Sequence, residues 1–197
     1  MFSSHTHPKS ITGSSGLGRL LLAAIVALVA ALPLAQPAAA GPPGPVVPSR
    51  IQVEDGHKVF LVGHAVGVQI YSCNATAGGF SWGLVAPRAE LYNDHGKLIV
   101  DHFGGPTWQA RDGSRVVGQR VDGVTVDATA IPWLLLSAAS TASGPDGDKL
   151  EHTTFIQRTA TTGGLPPAAS QCNAAAAGAL VEVPYTADYH FWKATGS

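Results

Sequence analysis

From Ile51 onward, short β-branched and aromatic runs are cut at intervals of about ten residues by Asp-Gly and Asn/Asp-rich turns. This punctuation constrains the fold more than any other feature of the chain. Asp-Gly stands at 55–56, 112–113, 122–123 and 146–147, and Asn93-Asp94-His95-Gly96 makes a fifth turn. Such dipeptides suit tight hairpins, whose central residues need positive φ. The runs between them predict strands over 58–64, 68–73, 81–85, 89–93, 97–103, 115–121, 124–128, 133–138, 153–159, 180–183 and 185–191. No stretch keeps a long helical period, and only Ala168–Ala179 reads as a short helix or a clipped loop. Short strands at this spacing predict a single all-β domain, a sandwich or a barrel of about ten antiparallel strands. Asp122-Gly123 between VVGQRV and VTVDAT is the clearest predicted hairpin.

The residues before this domain read as an address. Lys9 and Arg19 are the only full charges of residues 1–40, Leu20–Leu34 is an uncharged apolar run, and Ala38-Ala39-Ala40 precedes Gly41. A basic lead, a short apolar stretch and an A-x-A site predict a signal peptide cleaved near Ala40. The apolar run is shorter than the roughly 20 residues a membrane span needs, so no span is expected after cleavage. Residues 41–50, rich in Pro and Gly, predict an extended, mobile lead, and 51–197 the β domain. Export places the protein in a secreted or periplasmic setting, where Cys73 and Cys172 are expected to form one disulfide.

Cleavage leaves ten Lys+Arg against thirteen Asp+Glu, a net charge of −3. That mild acidity argues against nucleic acid as a partner. Charged residues are only 13% of the chain, while four Trp and 23 Gly are present. Aromatic faces suit small molecules and sugars, so the leading expectation is a binding or interaction module for a small molecule or carbohydrate.

Gly79-Phe80-Ser81-Trp82-Gly83 matches G-x-S-x-G, but Pro87 forbids the helix that a nucleophile elbow requires. No zinc spacing and no dinucleotide fingerprint occur in the mature chain, so no metal, cofactor or catalytic residue is assigned. The densest stretch is His102-Phe103-Gly104-Gly105-Pro106-Thr107-Trp108, followed by Asp112, Gly113, Ser114 and Arg115. Its glycines permit a bulge or strand corner, with Trp108 either a core plug or the wall of a pocket in which His102 bonds a ligand. The candidate ligand-binding residues are His102, Thr107, Trp108, Asp112 and Arg115. Two alternatives stand beside this reading. One is a metal-assisted or acid–base enzyme built on His102, with His64 or His152 and Asp101 or Glu151 nearby. The other is a structural envelope protein with no ligand site. Continuous apolar character in Ala130–Leu136 predicts a strand covered on both faces.

The blocks GVQIYSC (67–73), WGLVAPRAELYNDHGKLIVDHFGGPTW (82–108), DGSRVVG (112–118), AIPWLLL (130–136) and TTFIQRTATTGG (153–164) together resemble a secreted bacterial and fungal family of unknown function. The resemblance implies export and a β-rich fold, and it brings no activity. Some members of that family carry a malate-dehydrogenase label, which the lack of a dinucleotide fingerprint here does not support. Tyr71-Ser72-Cys73 is also similar to the Tyr-x-Cys start of small periplasmic lysozyme-inhibitor barrels, a likeness of one tripeptide that implies no function.

Overall fold

The computed structural model describes residues 41–196; the expected signal peptide and its cleavage site lie outside the described residues. Eight strands form one closed antiparallel barrel in sequence order. They are β1 (His57–Thr76), β2 (Gly79–Tyr92), β3 (Leu98–Phe103), β4 (Thr107–Ala110), β5 (Arg115–Val124), β6 (Trp133–Ala142), β7 (Phe155–Gly163) and β8 (Leu180–Ala194). The long first strand closes the ring, pairing with β2 on one side and with β8 on the other. The expectation of an all-β domain with one disulfide is met, with Cys73 bonded to Cys172. Among the described residues no helix is long and apolar enough to cross a membrane. The disulfide is compatible with an extracellular or periplasmic protein.

The described residues form eight strands because four breaks among the eleven predicted runs are run through and one strand, β4, is added. The pairs of runs 58–64 with 68–73, 81–85 with 89–93 and 180–183 with 185–191 are single strands, β1, β2 and β8. Pro87 and Pro184 lie in two of these breaks. Each lies before the stretch where its strand meets an outer neighbour, since β2 meets β3 only from Ala89 onward and β8 meets β7 only from Tyr185 onward. A residue without N–H is tolerated on such an unpaired edge. The fourth correction is Asp122-Gly123, which is not a hairpin. It continues β5 opposite Leu135 and Leu134, and the Asp122 carboxylate takes two hydrogen bonds from Arg50, at 3.1 and 2.9 Å. The other Asp-Gly and Asn-rich sites do turn the chain, with Gly56, Gly96 and Gly113 at φ of 87°, 71° and 83°. A strand that was not predicted, β4, follows the Gly104-Gly105-Pro106 turn. Ala168–Ala179 holds two single 3-10 turns, at Ala169–Gln171 and Ala174–Ala176, around Cys172.

Side-chain alternation divides inside from outside. On β8, Tyr185, Ala187, Tyr189 and Phe191 are buried in the main core, whereas the intervening Thr186 is exposed. One end of the interior is filled by Leu91, Val100, Val116, Leu150, Ile156 and Phe191, all fully buried. On β6 the apolar run is covered on both faces, as expected. Leu136 joins the interior core, while Leu135 packs with Ile51 and Val53 in a second cluster.

That second cluster is the footing of the segment before β1. Rather than standing free, Val47, Ile51 and Val53 pack with Trp133, Phe155 and Trp192. Gln157 fastens it, donating through Nε2 to the Ile51 carbonyl at 2.6 Å and accepting at Oε1 from Trp192 Nε1–H at 2.9 Å. Gln157→Leu strands both partners under apolar cover, at about 1–3 kcal/mol each. A loss of about 2–4 kcal/mol is expected in urea unfolding; a loss below about 0.5 kcal/mol would show that the segment is not fastened there.

Candidate functional site

An eight-stranded barrel has an interior just wide enough to be filled by side chains or to hold one small ligand. Here one end is filled and the other is not. A cavity of about 280 Å³ opens beside Trp108, walled by apolar residues that include Leu84, Pro87, Leu134 and Leu136. Its polar lining is Gln69, His102, Arg120, Arg158 and Tyr189.

His102 and Trp108 are directly opposed on β3 and β4. Their inward side chains therefore meet, as cross-strand pairs do. The rings stack at 4.2 Å with an interplanar angle of 5°. Tyr189 meets both rings edge-on, at 5.2 and 5.4 Å. Gly118 on β5 makes room for this stack: a Cβ there would lie 2.9 Å from the Trp108 ring and 3.1 Å from Leu136. His102 Nδ1–H donates to the Thr107 carbonyl at 2.9 Å, which fixes the tautomer and leaves Nε2 as an acceptor. Burial, reinforced by the positive charge of Arg158, pushes the His102 pKa down to about 3 against the pull of the Thr107 bond. The imidazole is neutral at ordinary pH.

Two buried donors in this wall have no partner among the described residues: Gln69 Nε2 and Trp108 Nε1. Their residues are 2% and 1% exposed. Arg158 directs Nε and Nη2 to the Pro132 carbonyl, at 3.1 and 2.8 Å. None of the residues lining the cavity is acidic. Burial raises the phenol pKa values of Tyr185 and Tyr189, whose hydroxyls are 3.3 Å apart, so both stay protonated.

The sequence candidates divide. His102 and Trp108 line the cavity, and Thr107 orients His102 through its carbonyl. Asp112 does not reach it. It lies at the other end of β4, in the turn to β5, where it accepts from Ser114 and from the Lys149 N–H. Arg115 is exposed, beside Phe103, Val117 and Ser140 in a separate surface depression. His64 and His152 do not join His102. His64 bonds Asp188 and Asp94, at 2.7 and 2.8 Å, and His152 lies with Asp148 and Glu151 in an exposed to half-buried cluster. Asp101 pairs with Arg111. Ser81 lies inside β2, exposed, with no sharp turn beneath it. Gln69, Arg120, Arg158 and Tyr189 also line the cavity and are not among the sequence candidates. The available signal was alternation, since Arg158 shares a strand face with the core residue Ile156.

His102 gives the barrel an acid sensitivity. In the unfolded chain it takes up a proton near its ordinary pKa of about 6.5, whereas in the fold it stays neutral down to about 3. The unfolded state therefore binds more protons in that window, and stability falls as pH falls through it. His190, lowered by burial, adds in the same direction, and His64, raised by Asp94 and Asp188, opposes. Between about pH 6 and 4.5, His102 alone accounts for a loss of roughly 2 kcal/mol. Urea unfolding across that range is expected to show His102→Gln with a correspondingly flatter profile. An unchanged slope would mean that His102 is protonated in the fold.

No curated protein and no solved structure matches this chain. A family model does, that of DUF3455, described as a protein of unknown function, over residues 54–193. The matched span runs from just before β1 almost to the end of β8, so it takes in all of the cavity-lining residues, and the chain belongs to the DUF3455 family.

Proposed function

We propose that this is an exported binding protein that holds one small molecule in the open end of the barrel. The observation that carries the reading is the cavity of about 280 Å³ beside two buried donors, Gln69 Nε2 and Trp108 Nε1, that no group among the described residues satisfies. Each unmet donor costs about 1–3 kcal/mol, and a ligand acceptor placed between the walls recovers it. The volume stands at the small end of ligand pockets, and an apolar wall with a few placed polar groups is their usual composition. Such a wall favours a compact, partly apolar molecule over an extended glycan.

The acid–base alternative draws little from His102. A group with a pKa of about 3, whose Nδ1–H is committed to Thr107, is far from the range in which general bases work near neutrality. A purely structural role gives no reason to leave one end of the barrel unfilled, since a closely packed core is the more stable solution. Export rests on the sequence of residues 1–40, with the disulfide as support.

Titration with anilinonaphthalene sulfonate, whose fluorescence rises in apolar surroundings, is expected to show one saturable site per chain. Leu134→Trp, which puts bulk into the cavity wall, is expected to weaken that site by about tenfold or more with the thermal unfolding midpoint little changed. Fluorescence that does not saturate, or that ignores the substitution, would rule out the barrel interior as the site.

A further inference from the structure

We infer that the molecule held in this cavity is a small amphipathic anion, with its charged oxygens at Arg158 and Arg120 and its apolar body against Leu134 and Leu136. This rests on the binding reading above and specifies the ligand's chemistry. The argument is one of charge and of donor count. Among the described residues two guanidinium groups line the cavity and no carboxylate does. Among the described residues Arg158 is half-buried, makes no ion pair and has neutral partners, the Pro132 carbonyl at Nε and Nη2 and the Tyr189 hydroxyl. Arg120, exposed on β5, feels Asp122, but that carboxylate is already taken by Arg50. A cation beside an apolar wall is held there at a cost unless an anion joins it.

The neutral groups agree with the charges. Gln69 Nε2 and Trp108 Nε1 are donors, and both are buried without acceptors. An oxyanion is acceptor-only and can meet several donors at once. A cationic ligand would face two arginines with no counter-charge, and a fully apolar one would leave both donors unmet. His102 presents its Nε2 lone pair, so a ligand hydroxyl has an acceptor there, and a hydroxylated organic acid uses the whole wall. The walls of Leu84, Pro87, Leu134 and Leu136 supply the apolar half. Leu84 and Val85 stay more than half exposed near the entrance.

A matched pair of probes tests this: anilinonaphthalene sulfonate and the uncharged phenylnaphthylamine that shares its rings. The sulfonate is expected to bind the full-length protein about tenfold or more tightly than the neutral amine. Arg158→Gln is expected to remove most of that preference while the neutral amine still binds, which also reports that the variant is folded. Should Arg158→Gln lose both probes, Arg120→Gln decides, with the preference expected to fall by about threefold or more. Equal affinities in the wild type, or a preference unchanged in whichever variant decides, would overturn the inference and leave a binder of neutral molecules. Failure of both probes to bind the wild type would instead overturn the binding reading, and this inference with it.

Discussion

The pairing of β1 with β8 closes the sheet, and the rest of the molecule depends on that closure. Its 20 residues pair through one edge with β2 over His64–Thr76 and through the other with β8 over His57–Ser72. Once closed, the sheet has an inside, and every inward side chain must either fill it or line a cavity. The filled end takes large apolar residues. The other end takes Gln69, His102, Trp108, Arg158 and Tyr189, whose polar atoms keep it from collapsing into a dry core. Closure also removes the free edges through which β proteins aggregate, except where β1, β2 and β8 continue past their outer neighbours. There Pro87 and Pro184 withhold donors, and the Cys73–Cys172 bond ties β1 to the segment leading into β8.

The outer face has its own packing. Leu135, Trp133 and Trp192 would be apolar patches on a bare barrel, and Ile51 and Val53 cover them. The bidentate contact from Arg50 to Asp122 and the bonds of Gln157 set the register of that cover. The neighbouring Arg120 and Leu134 belong to the cavity wall, so the clamp on the outside and the site on the inside share strands. This is why an apolar run on β6 serves both.

Much of this was legible in the sequence, and the failures have physical causes. The β class followed from turn spacing, and the disulfide from two cysteines behind an apolar leader. Asp-Gly marked a real turn at 112–113 but not at 122–123, where an ion pair with Arg50, remote in sequence, holds the same dipeptide in a strand. The breaks at Pro87 and Pro184 do not form because a proline's effect on a strand depends on whether an outer neighbour is present, which only topology decides. His102 and Trp108 were found because one hairpin brings them together. Asp112 and Arg115 were named with them because they are near in sequence, yet a strand of four residues carries the chain away from the cavity. Gln69 and Arg158 come from strands far apart in the chain, and only barrel closure makes them neighbours of the same space.

The central claim is that a small molecule enters beside Trp108, and the indole N–H signals test it most directly. Of the four tryptophans, Trp82 donates to the Ala168 carbonyl and Trp192 to Gln157, while the Trp108 N–H is buried without a partner. In a proton–nitrogen correlation spectrum recorded while anilinonaphthalene sulfonate is added, the Trp108 signal should move most. Those of Trp82, Trp133 and Trp192 should stay nearly in place. A Trp108 signal that stays fixed at saturation, or a shift centred on Trp82 or Trp133, would place the probe outside the barrel and contradict the account.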